Sequence, residues 1–139
     1  MVELKLKKHI DDFLGGSVGI QLSFTTNEVS QKGRLINIPF RLKVEVLKDQ
    51  LTDQLTDQLT DQSEDREKLF VIQLKLVATY KVDANEESIL DINKLEEQFK
   101  IFSKKQVPVD VWPYAREIVS NMTVKMGLPP LIIPTYQNL

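Results

Sequence analysis

The sequence predicts an α+β fold, in which a four-stranded antiparallel β-meander carries two helices packed on one face. Two observations predict it: four segments show apolar residues alternating with polar ones, and helical spacing of apolar residues begins only after residue 85. Short turn-forming segments separate the first three strands, which favours antiparallel neighbours. A length of 139 residues fits one domain, residues 1–139.

Period-two alternation marks each predicted strand, because successive side chains of a strand point to opposite faces of a sheet. The four segments are residues 2–6, 18–24, 36–46 and 70–82. Turn residues lie at 15–17 and 27–33. Pro39 has no amide hydrogen to donate, so within the third strand it marks either a bulge or a locally unpaired edge.

Between the third and fourth strands, the tetrapeptide Asp-Gln-Leu-Thr is repeated three times in tandem from Asp49. We interpret residues 49–65 as a low-complexity insertion in a hairpin, since each doubling of a surface loop costs only about 0.6 kcal/mol of closure entropy. The insertion is expected to be a solvated excursion, either mobile or a short helical arm. A specific docking element is the less favoured alternative.

The first helix is predicted from an apolar stripe at helical spacing, formed by Ile92, Leu95, Phe99 and Phe102. Asp91 and Asn93 are equally good residues to cap its beginning.

The second helix is predicted to begin at Pro113, which suits the first helical position because its missing amide hydrogen would have no partner there. Gly127 is expected to end this helix, and the prolines that follow prevent it from resuming. The predicted buried face consists of Ala115, Ile118, Val119, Met122 and Met126.

Simple dimensions predict that these helices leave apolar sheet surface uncovered. The third and fourth strands would be roughly 44 Å long if straight, whereas a helix of about fourteen residues reaches only about 21 Å. Soluble monomers rarely expose large contiguous apolar patches. We therefore expect the remaining apolar surface to contact a second subunit, another polypeptide, or both.

Composition argues against several functional classes. The chain has no cysteine, one histidine and a net charge of −2, which disfavours thiolate chemistry, histidine-based sites and general nucleic-acid binding. No glycine-rich phosphate loop precedes a helix, so we expect neither an enzyme nor a cofactor or metal. Without a secretory signal or a long apolar run, the chain is expected to be cytoplasmic and not inserted in a membrane.

The strongest motif lies at the start of the second predicted helix and reads Trp112-Pro-Tyr-Ala-Arg-Glu117, followed by Gly127 and a proline-rich apolar segment. This arrangement resembles the SecB-type protein-export chaperones, and the preceding meander agrees with that family in order. The residues that match the family signature, with expected roles in fold and assembly, are Pro113, Tyr114, Ala115, Arg116, Glu117 and Gly127.

The resemblance implies a SecB-like, ATP-independent holdase that binds unfolded polypeptides and assembles as a dimer of dimers. Some members pass clients to the SecA motor of the translocase, whereas others serve one dedicated client, such as the antitoxin of a toxin–antitoxin pair. A scaffold for one specific partner is therefore the alternative. The sequence ends without the family's further C-terminal helix, and the family's acidic face for SecA cannot be traced in it.

Client contact is expected from the apolar strand faces and from the segments that flank the second helix. The residues selected on that basis are Phe24, Ile38, Phe40, Leu42, Trp112, Leu128, Leu131 and Ile133.

Overall fold

The computed structural model describes residues 2–13, 16–26, 28–48, 67–82 and 96–138. Four long strands form one antiparallel sheet: β1 (Val2–Phe13), β2 (Gly16–Thr26), β4 (Leu35–Lys48) and β5 (Lys68–Lys81). A helix in two pieces, α1 (Glu96–Lys105) and α2 (Val107–Lys125), packs against it. The predicted α+β class is confirmed. The tandem repeat and the predicted caps of the first helix, Asp91 and Asn93, lie outside the described residues.

The long strands pair in the order β1-β2-β4-β5. Phe24 of β2 lies opposite Leu42 of β4, and Phe40 of β4 lies opposite Leu76 of β5. Because opposite residues share a face, the alternate apolar residues of β2 and β4 line one side of the sheet, where they are buried. We call this side the inner face and the opposite side the outer face.

A three-residue strand, β3 (Ser30–Lys32), also pairs with β4, in the segment expected to be a turn. It is polar and short, so it carries no apolar alternation from which it could have been predicted. Gly33 follows β3 with a φ of 63°, a backbone conformation that glycine adopts without steric cost.

Pro39 lies at the point where the strand that pairs with one side of β4 changes from β2 to β3. The β2 pairing ends at Phe40 and the β3 pairing begins at Asn37, so Pro39 has no described partner on that side. On the other side it stays in register opposite Val77, and the irregularity of this ladder lies at Val46 and Leu47 instead. On the first side the register shifts by one residue between the pairs Thr26–Phe40 and Ser30–Asn37, and residue 27 lies outside the described residues. Both alternatives for Pro39 therefore stay predictions.

The prediction that the second helix begins at Pro113 is wrong, because α2 begins at Val107 and Pro113 lies inside it. Pro108 occupies the first turn, where a missing amide hydrogen is tolerated. Backbone hydrogen bonds from Gln106 to Phe102 and from Asp110 to Gln106 continue across the junction. Because Pro108 cannot donate to the preceding turn, the two pieces form one helix that bends there.

The predicted buried face of α2 is also partly wrong. Ala115 and Val119 are buried as expected, but Met122 and Met126 are exposed and Ile118 is half-buried. The remaining buried positions of α2 are Val107, Pro108, Val111, Trp112 and Thr123. The helix is therefore rotated about its axis relative to the prediction.

The end of α2 at Gly127 is confirmed. Gly127 has a φ of 79°, and its amide donates to the Val124 carbonyl at 2.9 Å. The Leu128 amide donates to the Thr123 carbonyl at 3.0 Å. This pair of bonds is the Schellman motif, in which a residue with positive φ satisfies the last carbonyls of a helix. The chain then runs back along the sheet to a 3₁₀ turn, Tyr136–Asn138.

Candidate binding surfaces

Seven of the eight residues expected to contact clients lie in the core, each at most 2% exposed, and only Leu128 is half-buried. The core members are Phe24, Ile38, Phe40, Leu42, Trp112, Leu131 and Ile133. In this conformation they have almost no surface to offer to another molecule. Their contact with clients stays a prediction, and it requires the core to open.

The dimensional prediction underestimated how much of the inner face is covered. It assumed a helix of about fourteen residues, whereas α2 has 19 and is continued by α1. The segment after α2 covers more, because Leu131 and Ile133 are completely buried. The uncovered apolar surface therefore has to be sought on other parts of the molecule.

An aromatic cluster joins the sheet, α2 and the C-terminal segment. The ring of Phe24 lies 5.4 Å from that of Phe40 and 5.8 Å from that of Trp112, measured between centroids. The Tyr136 ring lies 5.8 Å from the Trp112 ring. These separations are within the range in which aromatic pairs attract. Trp112 is thus the central contact between three elements.

Trp112 and the signature residue Arg116 hold the C-terminal segment against α2. The indole Nε1 of Trp112 donates to the Pro134 carbonyl at 2.7 Å, and Nε of Arg116 donates to the Ile133 carbonyl at 2.9 Å. Trp112 and Arg116 are four residues apart, so they lie on one side of the helix. Between them, Ala115 is completely buried. These contacts give the inward-facing part of the signature a role in the fold.

The outward-facing signature residues are Pro113, Tyr114 and Glu117, all exposed. Tyr114 is the first member of an apolar row at four-residue spacing, whose other members are Ile118, Met122 and Met126. The exposed fraction is 65% for Tyr114, 42% for Met122 and 46% for Met126, and Ile118 is half-buried. We call these four residues the α2 stripe. Three of them were expected to be core, so this surface was not predicted from the sequence.

The outer face of the sheet has a different character. On β4 and β5 it carries five cations, Arg41, Lys43, Lys68, Lys75 and Lys81, and one carboxylate, Glu45. The Lys43 Nζ lies 2.9 Å from Glu45 Oε1, and the Lys68 Nζ lies 3.2 Å from Glu45 Oε2. The hydrogen bond from Lys43, with a smaller contribution from Lys68, lowers the pKa of Glu45 despite its partial burial.

A polar contact fixes the helix bend to the edge of the sheet. The Tyr80 hydroxyl of β5 donates to Asp110 Oδ2 at 2.8 Å, and Gln106 Nε2 donates to Asp110 Oδ1 at 2.8 Å. The Phe102 ring meets the Tyr80 ring edge-on at 4.9 Å. Desolvation first, and then the bond to Asp110, raise the pKa of Tyr80 above its ordinary value. Tyr80 therefore stays a neutral donor here.

Within the described residues, no group of three His, Asp or Glu side chains is placed to hold a metal ion. No helix in the same part of the chain is long and apolar enough to cross a membrane.

Comparison with known proteins gives one family. The family model "SecB: Preprotein translocase subunit SecB" matches residues 23–136, which include the last four residues of β2, all of β3 to β5 and the bent helix. No curated protein and no solved structure matches the chain. Because the family model covers most of the sequence and agrees with the fold described above, the chain belongs to the SecB family.

Proposed function

We propose that this protein is an ATP-independent holdase, which binds non-native polypeptides by hydrophobic contact and performs no catalysis. The observation that carries the proposal is the exposed α2 stripe on a SecB-family fold. A chaperone role in protein export is what the family suggests. Delivery of clients to SecA and a cytoplasmic location belong to the same proposal.

The chemistry of the α2 stripe suits contact with many sequences. Burial of apolar surface stabilises a complex by about 25 cal/mol per Å² and does not depend on direction. Methionine side chains are flexible and polarisable, so Met122 and Met126 can adapt to differently shaped partners. Tyr114 adds a large amphipathic surface with few rotatable bonds.

Homo-oligomeric assembly as a dimer of dimers is a second part of the proposal. Its support is the apolar surface that the chain leaves exposed outside the α2 stripe, including Val77, Ile101 and Ile132. Exposed apolar area of this kind is common where a second copy or a partner packs. Native mass from size exclusion with light scattering measures the subunit number.

The test is suppression of aggregation. A chemically unfolded, aggregation-prone protein is diluted into buffer without nucleotide, with and without the chaperone, and light scattering is followed. We expect the wild type to keep the client soluble and the double variant M122S/M126S to do so several-fold less well. The control V71S removes a similarly exposed apolar side chain from the sheet and should retain full activity.

Two results would contradict the proposal: no suppression by the wild type, or equal suppression by M122S/M126S in a correctly assembled protein. Light scattering after size exclusion establishes that each variant keeps the wild-type mass.

A dedicated partner is the second candidate function, and the shape of the stripe favours it. The stripe extends from Tyr114 to Met126, or about 18 Å of helix, and the inner-face residues of β2 and β4 are buried. A short apolar row of this length matches one amphipathic segment, such as part of an antitoxin, better than a long extended client. A protein that ignores unfolded clients but binds one defined segment would establish this alternative.

A further inference from the structure

The outer face is strongly basic on a protein whose net charge is −2. Of its five cations on β4 and β5, Lys43 and Lys68 both pair with the single carboxylate of Glu45. Arg41, Lys75 and Lys81 form no ion pair with any described residue, and all three are exposed. This distribution concentrates positive charge on one side of the molecule.

Arg41 and Lys75 are directly opposite each other in the β4–β5 register. Side chains in this relation lie about 5 Å apart at their Cβ atoms, and like charges there destabilise a sheet. A bound anion would remove that repulsion. An anionic group is therefore the kind of ligand that this pair would favour.

The surface around this pair carries a further hydrogen-bond donor. A shallow depression of about 360 Å³ is lined by Arg41, Lys75 and Gln73, together with the strand residues Leu42 and Leu74. The guanidinium, the ammonium and the side-chain amide are all hydrogen-bond donors. Arginine in particular binds carboxylates through two parallel bonds.

The neighbouring residues favour a polypeptide over a nucleic acid. The next pair of residues on the outer face of β4 and β5 is Pro39 and Val77, which lie opposite each other. Val77 is 53% exposed. An apolar pair beside a cationic pair fits a chain that carries carboxylates next to apolar side chains. Nucleic-acid sites instead rely on many phosphate contacts and on aromatic stacking, and the described outer-face residues of β4 and β5 include no aromatic residue.

We propose that the outer face, centred on Arg41, Lys75 and Gln73, binds an acidic polypeptide segment of a partner protein. Carboxylates of the segment lie between Arg41 and Lys75, and an apolar side chain packs on Pro39 and Val77. This surface is separate from the α2 stripe and would be occupied independently of a hydrophobic client.

The experiment measures fluorescence anisotropy of a short labelled peptide of alternating Glu and Leu. Its matched probes replace every Glu by Gln or by Lys. We expect the acidic peptide to bind the wild type at least about tenfold more tightly than the Gln peptide, since a charged hydrogen bond is roughly twice as strong as a neutral one. Binding should weaken as salt rises from about 0.1 M to about 1 M, where the screening length falls from about 10 to 3 Å.

The variant R41E/K75E reverses the charge of the site. It should lose the acidic peptide and gain the Lys peptide, whereas the control K104E/K105E, which reverses two exposed cations of α1, should behave as wild type. The neutral variant R41Q/K75Q should bind none of the three peptides tightly. Far-ultraviolet circular dichroism and thermal melting establish that each variant is folded.

Equal binding of the Glu and Gln peptides, or unchanged binding by folded R41E/K75E, would overturn the inference. So would a single-stranded oligonucleotide of the same charge that competes more strongly than the acidic peptide, because the face would then select a nucleic acid. Aggregation suppression is measured on the same variants. A holdase that stays active in R41E/K75E separates this surface from the proposed client surface, so either proposal can fail alone.

Discussion

The two faces of the sheet are built from the same strands but obey different physical constraints. On the inner face, apolar side chains of β2 and β4 are buried and packed by α2 and the C-terminal segment. On the outer face, β4 and β5 carry paired and unpaired charges beside exposed apolar residues. The inner-face residues of β2 and β4 have their contacts within the chain, whereas the outer face of β4 and β5 retains Arg41 and Lys75, two like charges opposite each other. The comparison indicates that stability comes from the inner face and that partners are to be sought elsewhere.

The largest effect is expected where the inner face is joined to both helix and C-terminal segment. Trp112→Ala removes the centre of the aromatic cluster and the hydrogen bond to Pro134. We expect a loss of about 3–5 kcal/mol in the free energy of unfolding, measured by urea denaturation. Tyr114→Ala, two residues away and exposed, should change it by less than about 0.5 kcal/mol. If both variants lost a similar free energy of unfolding, the buried and exposed sides of α2 would contribute equally to stability, which would contradict the comparison.

The second-largest loss of stability is expected from a buried polar contact. The Thr123 hydroxyl donates to the Ser120 carbonyl at 2.8 Å and accepts the Leu131 amide at 2.9 Å. Thr123→Val keeps the side-chain shape but leaves the buried Leu131 amide without its acceptor, which should cost about 1–3 kcal/mol. The reverse exchange at an exposed neighbour, Val124→Thr, is the matched control. If both variants unfold at the wild-type urea concentration, the hydroxyl contributes nothing to the fold.

Thr123 also illustrates what local sequence patterns can and cannot predict. Alternation correctly places the inner-face residues of β2 and β4, because side-chain direction in a strand depends only on position. On α2, hydrophobicity favours Met122 as a buried residue, yet Thr123 is buried because its hydroxyl is satisfied by a residue eight positions later. That partner is not visible in a helical pattern.

The beginning of α2 was ambiguous for a similar reason. Pro108 and Pro113 both suit a first turn, and only packing of Val107 and Val111 against the sheet extends the helix to the earlier one. Alternation shows which residues are apolar but not what covers them, so the burial of the residues expected to contact clients was not predicted. The basic outer face depends on cross-strand register, which places Arg41 beside Lys75 across 34 positions of sequence.

On the outer face, Glu45 should make stability depend on pH. Its pKa is lowered from an ordinary 4.5 by Lys43 and then Lys68, so its contribution is complete above that value and is lost as the pH falls through the lower, folded-state pKa. Glu45→Gln should cost about 1 kcal/mol or less at neutral pH. The difference from wild type should disappear in acid, in urea titrations at a series of pH values. Glu67→Gln, whose exposed carboxylate lies 4.0 Å from Lys48, is the control and should leave the free energy of unfolding at neutral pH nearly unchanged.

The smallest effect is an increase in stability. Arg41→Glu places a carboxylate opposite Lys75, which converts a repulsive cross-strand pair into an attractive one and should stabilise the protein by about 0.2–1 kcal/mol. High salt should abolish the gain, because both side chains are exposed. Arg41→Gln, which only removes the repulsion, should give an intermediate value. A destabilised Arg41→Glu protein at low salt would show that Arg41 contributes to the fold itself. The stabilised variant would instead show that the wild-type chain keeps a cation at this position at a cost to its own stability, as expected of a residue retained for binding.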